Sequence, residues 1–373
     1  MPPDSRSLRV GIDATELLDS PTGVGRYLVE LLTGWLEPGL NRHEFVLYTP
    51  TAVDQTPSSV RHLSDQSERV RLRHLPGRPG TWWQQCILRQ AVIADRPEVF
   101  FAPAYTAPLL LPMPLVLAIH DASFAAHPEW FSWRTGLRLR WLARRAGLSA
   151  ASVLTLTRFS RDEIVTHLGL PYARVEIIAP GISRQFTHET SEPRAPVLLY
   201  VGSLLTRRRI PDLIAAFAAV ARRRRDARLV IVGPNRTDPL IDPRALADDA
   251  GVGDRVDVLD YVTEDGLVGL YRSARAFAFL SSYEGFALTP LEALAAGVPA
   301  VLLDTPVARE VYGDAAMYVE PGDIVATAGA IERLLYDEVA RTRILARADE
   351  TVARYDWSRT CRQVLDVIER VCA

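Results

Sequence analysis

Residues 275–299 read Arg-Ala-Phe-Ala-Phe-Leu-Ser-Ser-Tyr-Glu-Gly-Phe-Ala-Leu-Thr-Pro-Leu-Glu-Ala-Leu-Ala-Ala-Gly-Val-Pro. Their order of residue types predicts a strand, a tight loop and a helix. Residues 275–280 form an apolar run of strand length, closed by Ser281 and Ser282. Thr289 and Pro290 have the character of an N-cap and a first helical residue, and Gly297 that of a helix stop. Glu284 then falls on the loop, and Glu292 lies about one turn inside the helix. The loop N–H groups from Gly285 through Phe286, Ala287, Leu288 and Thr289 would point outward at a helix N-terminus. Unpaired donors and the positive end of the helix dipole make such a terminus a phosphate site.

Each glutamate alone fits an ordinary role, Glu284 as a solvated loop residue and Glu292 as a first-turn acid. Together they bracket an anion site, where carboxylates repel phosphate but accept hydrogen bonds from hydroxyls. Phosphate donors beside hydroxyl acceptors describe a nucleotide-sugar site. The stretch from Glu284 to Glu292 resembles the Glu-x7-Glu motif of the retaining glycosyltransferases of GT-B fold, the family-4 type, also called glycosyl transferases group 1. The resemblance implies an α/β protein of two Rossmann-like domains whose parallel sheets face each other across a cleft. Residues 1–182 would form an acceptor-binding domain and 197–354 a nucleotide-sugar-binding domain. A C-terminal helix in 355–373 would pack back on the first domain, making a hinged pair able to close over ligand.

Composition agrees with two domains and removes several other chemistries. A chain of 373 residues exceeds one usual core. Its 48% hydrophobic and 24% charged residues suit a globular enzyme. The net charge of −2 gives no case for a nucleic-acid partner. Every one of the basic residues is Arg or His, for the chain contains no lysine, which excludes a Walker-type phosphate loop and Schiff-base lysine chemistry. Cys86, Cys361 and Cys372 are scattered without metal spacing, which points to a reduced, cytoplasmic setting. No Asp-x-Asp occurs, so no diphosphate-bridging metal and no cofactor is expected. Residues 1–9 lack signal-peptide character, and the most apolar run, 107–119, is too short and proline-rich to span a bilayer.

From the N-terminus, residues 8–12 read as a buried parallel strand. After a polar loop over 13–22, Gly23-Val24-Gly25-Arg26-Tyr27 opens a helix to about residue 35. This is half of a dinucleotide fingerprint, with Leu28 at the third glycine position. It also fits a tightly packed βα turn. By the resemblance, Gly25 lies close to the donor diphosphate, where glycine lets backbone approach a ligand. Further strands are expected at 44–48, 70–74, 99–101, 115–119, 153–157 and 175–178, with helices over 82–94 and 160–168. The strand at 115–119 ends in His120-Asp121, and strand C-termini face the ligand crevice of open α/β sheets. The Ile-His-Asp-x-Ser-Phe stretch resembles the family's acceptor-side segment, which implies that His120 contacts the transferred sugar. Residues 130–146 form an amphipathic helix with Trp133, Trp141 and five arginines. It fits first a core-facing helix with a solvated arginine face; a basic aromatic helix can also make a peripheral contact with the inner face of a membrane.

Residues 183–196 are polar, with Pro193 and Pro196, and read as a linker. Strands at 197–201, 228–232, 256–259, 276–280 and 300–303 then alternate with helices, the pattern of a second parallel sheet. The first of these ends in Gly202-Ser203-Leu204, followed by Arg207-Arg208-Arg209. The resemblance places Arg208 where the family carries a diphosphate-binding lysine, with Ser203 beside it; the register among the three arginines is left open. It also puts the Tyr261-Val262-Thr263 loop near the nucleobase, without selecting uracil, guanine or adenine. The function expected is retaining transfer of a hexose, from GDP-mannose or a UDP-sugar, to a hydroxyl acceptor such as an oligosaccharide or a lipid-linked carrier. Catalysis would rest on His120, Glu284 and Arg208, and donor binding on Glu292 and the loop amides. Two rivals share these features. A sugar-nucleotide epimerase would need no acceptor, and a glycoside hydrolase would need no nucleotide and would space its carboxylates at about 5–5.5 or 6.5–9.5 Å.

Overall fold

A computed structural model describes residues 6–17, 23–50, 61, 67–187 and 194–373. The chain divides into two compact units, one of Met1–Gly181 with Asp356–Ala373 and one of Ile182–Tyr355. Among the described residues the first unit holds a seven-stranded sheet, with β1 (Arg9–Asp13), β2 (Glu44–Thr49), β3 (Val70–His74), β4 (Val99–Ala102), β5 (Leu115–Ala118), β6 (Ser152–Thr155) and β7 (Val175–Ile177). The second holds six strands, β8 (Val197–Val201), β9 (Arg228–Val232), β10 (Val256–Leu259), β11 (Ala276–Phe279), β12 (Ala300–Leu303) and β13 (Ala316–Val319). The orders are β3-β2-β1-β4-β5-β6-β7 and β10-β9-β8-β11-β12-β13, and every pairing is parallel. Each sheet therefore reverses its strand order once, at β1/β4 and at β8/β11, and ligand crevices of doubly wound sheets open at the strand C-termini there.

The inner strands β4, β5, β11 and β12 are apolar on both faces because helices cover both, whereas the edge strands β3 and β10 expose charged residues. In β4, Phe100 enters a core with Trp83, Leu117 and Ile164, while its neighbour Phe101 enters the opposite core with Trp35, Phe45 and Val364. The terminal helix, Trp357–Arg370, lies in this second core against the Gly23–Trp35 helix. The contact is close at Gly34, where a Cβ would run into Cys361 Sγ, and the Trp35 indole donates to the Cys361 carbonyl at 3.0 Å.

Several expectations need correction. A sixth strand of the second sheet, β13, has no counterpart in the sequence reading; its Ala-Met-Tyr-Val run sits on the sheet edge with Met317 and Tyr318 only half-buried. The helix expected over 82–94 is a π-helix at Trp83–Leu88 that continues as an α-helix at Arg89–Asp95. The helix after the Glu284 loop starts at Leu288, one residue before the Thr289 expected as its cap. Ala287 is its N-cap in the left-handed conformation, φ 68°, and the Tyr312 hydroxyl donates to the Ala287 carbonyl from another helix. Of the expected linker, 188–193 lies outside the described residues. The part before that gap is folded in, for Arg184–Phe186 forms a 3-10 turn and the Phe186 ring packs edge-on against Tyr271 at 5.4 Å. Part of the polar loop at 13–22 also lies outside the described residues.

Candidate functional site

In the second unit the site is built at the β8/β11 switch. Strand β8 ends in Gly202 and Ser203, β11 runs into Ser281 and Glu284, and the 3-10 turn Thr206–Arg208 crosses between them. Gly202 has φ +143°, and a Cβ there would stand 2.8 Å from Arg208 Nη1, so glycine is what lets the guanidinium lie across the strand end.

Arg208 Nε donates to Glu284 Oε1 at 2.8 Å, and the two side chains are only 15% and 12% exposed. Arg208 Nη1 donates to the Ser203 carbonyl at 2.9 Å, and its guanidinium lies 5.0 Å from the centre of the Phe279 ring. Ser281 donates to Glu284 Oε1 at 2.9 Å. Burial on its own would raise the Glu284 carboxyl. The Arg208 and Arg207 charges and the Arg208 and Ser281 hydrogen bonds outweigh it, so Glu284 titrates below its ordinary range. Burial likewise works against the Arg208 charge, and Glu284 together with Tyr200 more than offsets it, holding Arg208 above the arginine range. Both groups are ionised at neutral pH. The sequence reading gave Arg208 and Glu284 separate roles and did not anticipate that they contact each other.

The neighbouring arginines are engaged elsewhere. Arg207 Nε donates to the Tyr283 carbonyl at 3.2 Å, and Arg209 donates to Asp212 at 2.6 Å. The Nε donor to Glu284 Oε1 comes from Arg208. Beside it a recess is lined by Phe279, Ser281, Glu284, Phe286, Ala287 and Tyr312. Gly285 and Phe286 are buried, Ala287, Leu288 and Thr289 half-buried, and the Phe286 ring stands edge-on to Tyr355 at 5.0 Å. Glu292 is buried one turn into the Leu288–Ala295 helix. The Tyr271 hydroxyl donates to Glu292 Oε2 at 2.9 Å, with the Thr289 carbonyl oxygen 3.2 Å away. Tyr261, Val262 and Thr263 follow the edge strand β10, two strands from β8. Thr263 caps the Glu264–Ser273 helix by accepting from Gly266 N at 3.2 Å, and Tyr261 is exposed.

His120 and Gly25 belong to the first unit. His120 is buried just beyond β5, its Nε2 2.7 Å from the Pro103 carbonyl. A carbonyl only accepts, so Nε2 carries the proton and Nδ1 of the neutral ring is the acceptor nitrogen. Burial pushes the imidazole below its ordinary value, against the Pro103 bond and Asp121. The Tyr27 and Tyr105 rings stand edge-on to it at 5.0 and 5.8 Å, and Tyr105 has φ 56°, unusual for a bulky residue outside a turn glycine position. Gly25 is buried in the Gly23–Trp35 helix.

The sequence reading missed Asp13, buried at the C-terminus of β1. It accepts from Thr15 N at 3.1 Å and from Gln84 Nε2 at 3.1 Å, and burial raises its carboxyl above the ordinary value. An Asp closing an apolar parallel strand was a usable signal. Tyr271, Phe279 and Tyr312 carried none, because they act across the fold. Among the described residues no group of three His, Cys, Asp or Glu side chains is placed to hold a metal. None of the helices among them is long and apolar enough to cross a membrane.

Two family models divide the chain between them, glycosyl transferases group 1 over residues 182–351 and glycosyltransferase family 4 over residues 21–186. The chain belongs to this glycosyltransferase family. It is 28% identical over 379 residues to O-antigen chain mannosyltransferase B of Escherichia coli, covering 95% of this chain and 98% of that protein. To alpha-D-kanosaminyltransferase of Streptomyces kanamyceticus it is 28% identical, over 72% of this chain and 73% of the other. Among solved structures, Anabaena HepE in complex with UDP and glucose matches with a TM-score of 0.76 at 18% identity, over 97% of this chain and 100% of that one. Sucrose-phosphate synthase from Thermosynechococcus elongatus matches at 0.77 and 17%, over 98% and 99%. The fold of this glycosyltransferase is GT-B, two Rossmann-like units each with a parallel sheet.

Proposed function

We propose that this glycosyltransferase moves a hexose from a nucleotide diphosphate sugar, GDP-mannose or a UDP-sugar, to a hydroxyl of a glycan or lipid-linked acceptor, with retention at the anomeric carbon. The observation that carries the proposal is the partly buried Arg208–Glu284 pair beside the N-terminus of the Leu288–Ala295 helix, at the sheet's switch point. An arginine held rigid by a carboxylate, a carbonyl and an aromatic ring is preorganised to meet charge developing on a departing diphosphate. The 286–289 amides add helix N-terminal donors. Glu292 would hold the ribose hydroxyls and Glu284, oriented by Ser281, the sugar hydroxyls. His120, neutral at pH 7, would accept a hydrogen bond from a hydroxyl of the transferred sugar through Nδ1, and Gly25 would admit the diphosphate.

In the reaction, the bond from the anomeric carbon to the diphosphate oxygen breaks and the acceptor oxygen bonds on the same face. The acceptor's proton passes to the departing phosphate oxygen. The donor part of this reading is supported by the relatives named for mannosyl transfer and by the UDP in the HepE complex. We also read the enzyme as metal-independent and cytoplasmic, with its three cysteines as free thiols. The test is a thermal-shift screen of nucleotides and nucleotide sugars, followed by proton NMR of donor turnover. The sugar should be released or transferred first in the donor's own anomeric configuration. Inverted product, or stabilisation by free sugars without any nucleotide, would overturn the reading, as would isomerised donor.

A further inference from the structure

The Trp133–Ser149 helix packs on the first unit through Gly136, Leu142, Ala143, Ala146 and Gly147. Small residues there bring its backbone close to the core and leave the large side chains outside. Trp133 is 70% exposed, Leu137 63%, Trp141 53% and Leu148 37%. At 3.6 residues per turn these four fall within an arc of about 80°, so they form one continuous stripe and not scattered exposure. The helix carries five arginines and no acidic residue. By the same geometry Arg140 borders the stripe on one side, and Arg134, Arg145 and Arg138 border it on the other. Arg144 would interrupt the stripe, but its Nη1 is drawn back to the Leu168 carbonyl at 3.0 Å. The arginines work with the indoles, for Arg134 lies 5.1 Å over the Trp133 ring and Arg145 lies 5.9 Å over Trp141.

We propose that this stripe is a docking surface for an anionic lipid bilayer, on which the helix lies flat. Charge selects the occupant. The helix itself presents five cations and no carboxylate, which matches a negative surface, and the exposed Glu129 on the turn before it is paired with His127. Indoles are the side chains that settle between headgroups and acyl chains. A soluble protein partner would more commonly meet a rim of mixed sign. The assignment stands independently of the donor and acceptor chemistry, because it concerns a surface apart from the strand-end sites.

Sedimentation of the full chain with vesicles tests it. Binding is expected to equimolar phosphatidylcholine and phosphatidylglycerol, with little to phosphatidylcholine alone, and it should fall as salt rises. Tryptophan emission should shift to the blue on binding, and that shift should vanish in W133S/W141S. Arg138→Glu removes one cation and adds an anion, and loss of the cation alone should weaken partitioning about fivefold. Arg225→Glu, on the other unit, makes the same change of charge and should leave binding intact. Because all these positions are exposed, an unchanged melting temperature certifies the variants as folded. Failure of the wild type to bind anionic vesicles at low salt would overturn the proposal. So would equal weakening by Arg138→Glu and Arg225→Glu, or a lipid-free dimer that W133S/W141S dissolves, which would give the stripe to a second copy of the chain.

Discussion

Replacing Glu284 by Gln keeps the size of the side chain and one hydrogen-bond acceptor for Ser281, and removes only the charge facing Arg208. The guanidinium then stays where it is, 15% exposed, with a carbonyl and a ring for partners. Breaking a buried pair on one side costs about 3–5 kcal/mol, because the remaining charge is desolvated without compensation. Gln retains the packing, so the lower end, about 3 kcal/mol, is expected. For a unit of this size each kcal/mol moves the midpoint by about 2–4 °C, so the unit should melt about 6–12 °C lower. If Arg208 receives the diphosphate, a bound nucleoside diphosphate supplies the missing negative charge. The gap between wild type and Glu284→Gln should then narrow under saturating UDP, GDP or ADP, whichever stabilises the wild type most. The double variant Arg208→Met/Glu284→Gln should be more stable than Glu284→Gln alone, since it removes the orphaned charge. Scanning calorimetry with and without ligand reads all three. A Glu284→Gln midpoint equal to wild type would refute the energetic argument, and a gap that ligand leaves untouched would refute the placing of diphosphate at Arg208.

Glu292→Ala should weaken nucleoside diphosphate binding by about 1.5–3 kcal/mol, the worth of a hydrogen bond to a charged group; calorimetric titration with unchanged affinity would remove Glu292 from the ribose. Since burial depresses the His120 pKa, the unfolded chain binds the extra proton first, so stability falls as pH drops below the ordinary histidine value of about 6.5. His120→Gln should flatten that fall in a series of melts against pH, and an unchanged slope would mean that His120 is not its source. Turnover should survive EDTA, and a loss restored by Mg²⁺ or Mn²⁺ would show that a metal is needed.

What could be read in the sequence was local. Apolar runs of four to six residues between glycine- and proline-bearing turns give the βα alternation, and Glu284-Gly-Phe to Glu292 gives the loop and helix that carry the motif. β13 was passed over although residues 315–319 are themselves a continuous apolar run; as an edge strand it buries only Ala316 and Val319. The helix start was misplaced by two residues because Thr289-Pro290 is a good local cap, whereas the cap is Ala287, whose carbonyl accepts from Tyr312. The contact between Arg208 and Glu284 spans 76 positions, and no local pattern encodes a separation of that size. The same holds for Phe279 beneath the guanidinium and Tyr271 on Glu292. The basic helix over 130–146 could be read as amphipathic, but which of its residues face outward depended on the small residues that seat it.

The central claim is that Arg208 stabilises the leaving diphosphate as charge develops on it. Steady-state kinetics of Arg208→Ala against Arg207→Ala and Arg209→Ala tests it most directly. The account predicts a fall in kcat for Arg208→Ala beyond any rise in KM, because the interaction strengthens in the transition state. Arg208→Lys should recover part of the loss, and the neighbours, held by the Tyr283 carbonyl and Asp212, should lose less. A kcat for Arg208→Ala equal to wild type, or a larger loss at Arg207 or Arg209, would contradict it.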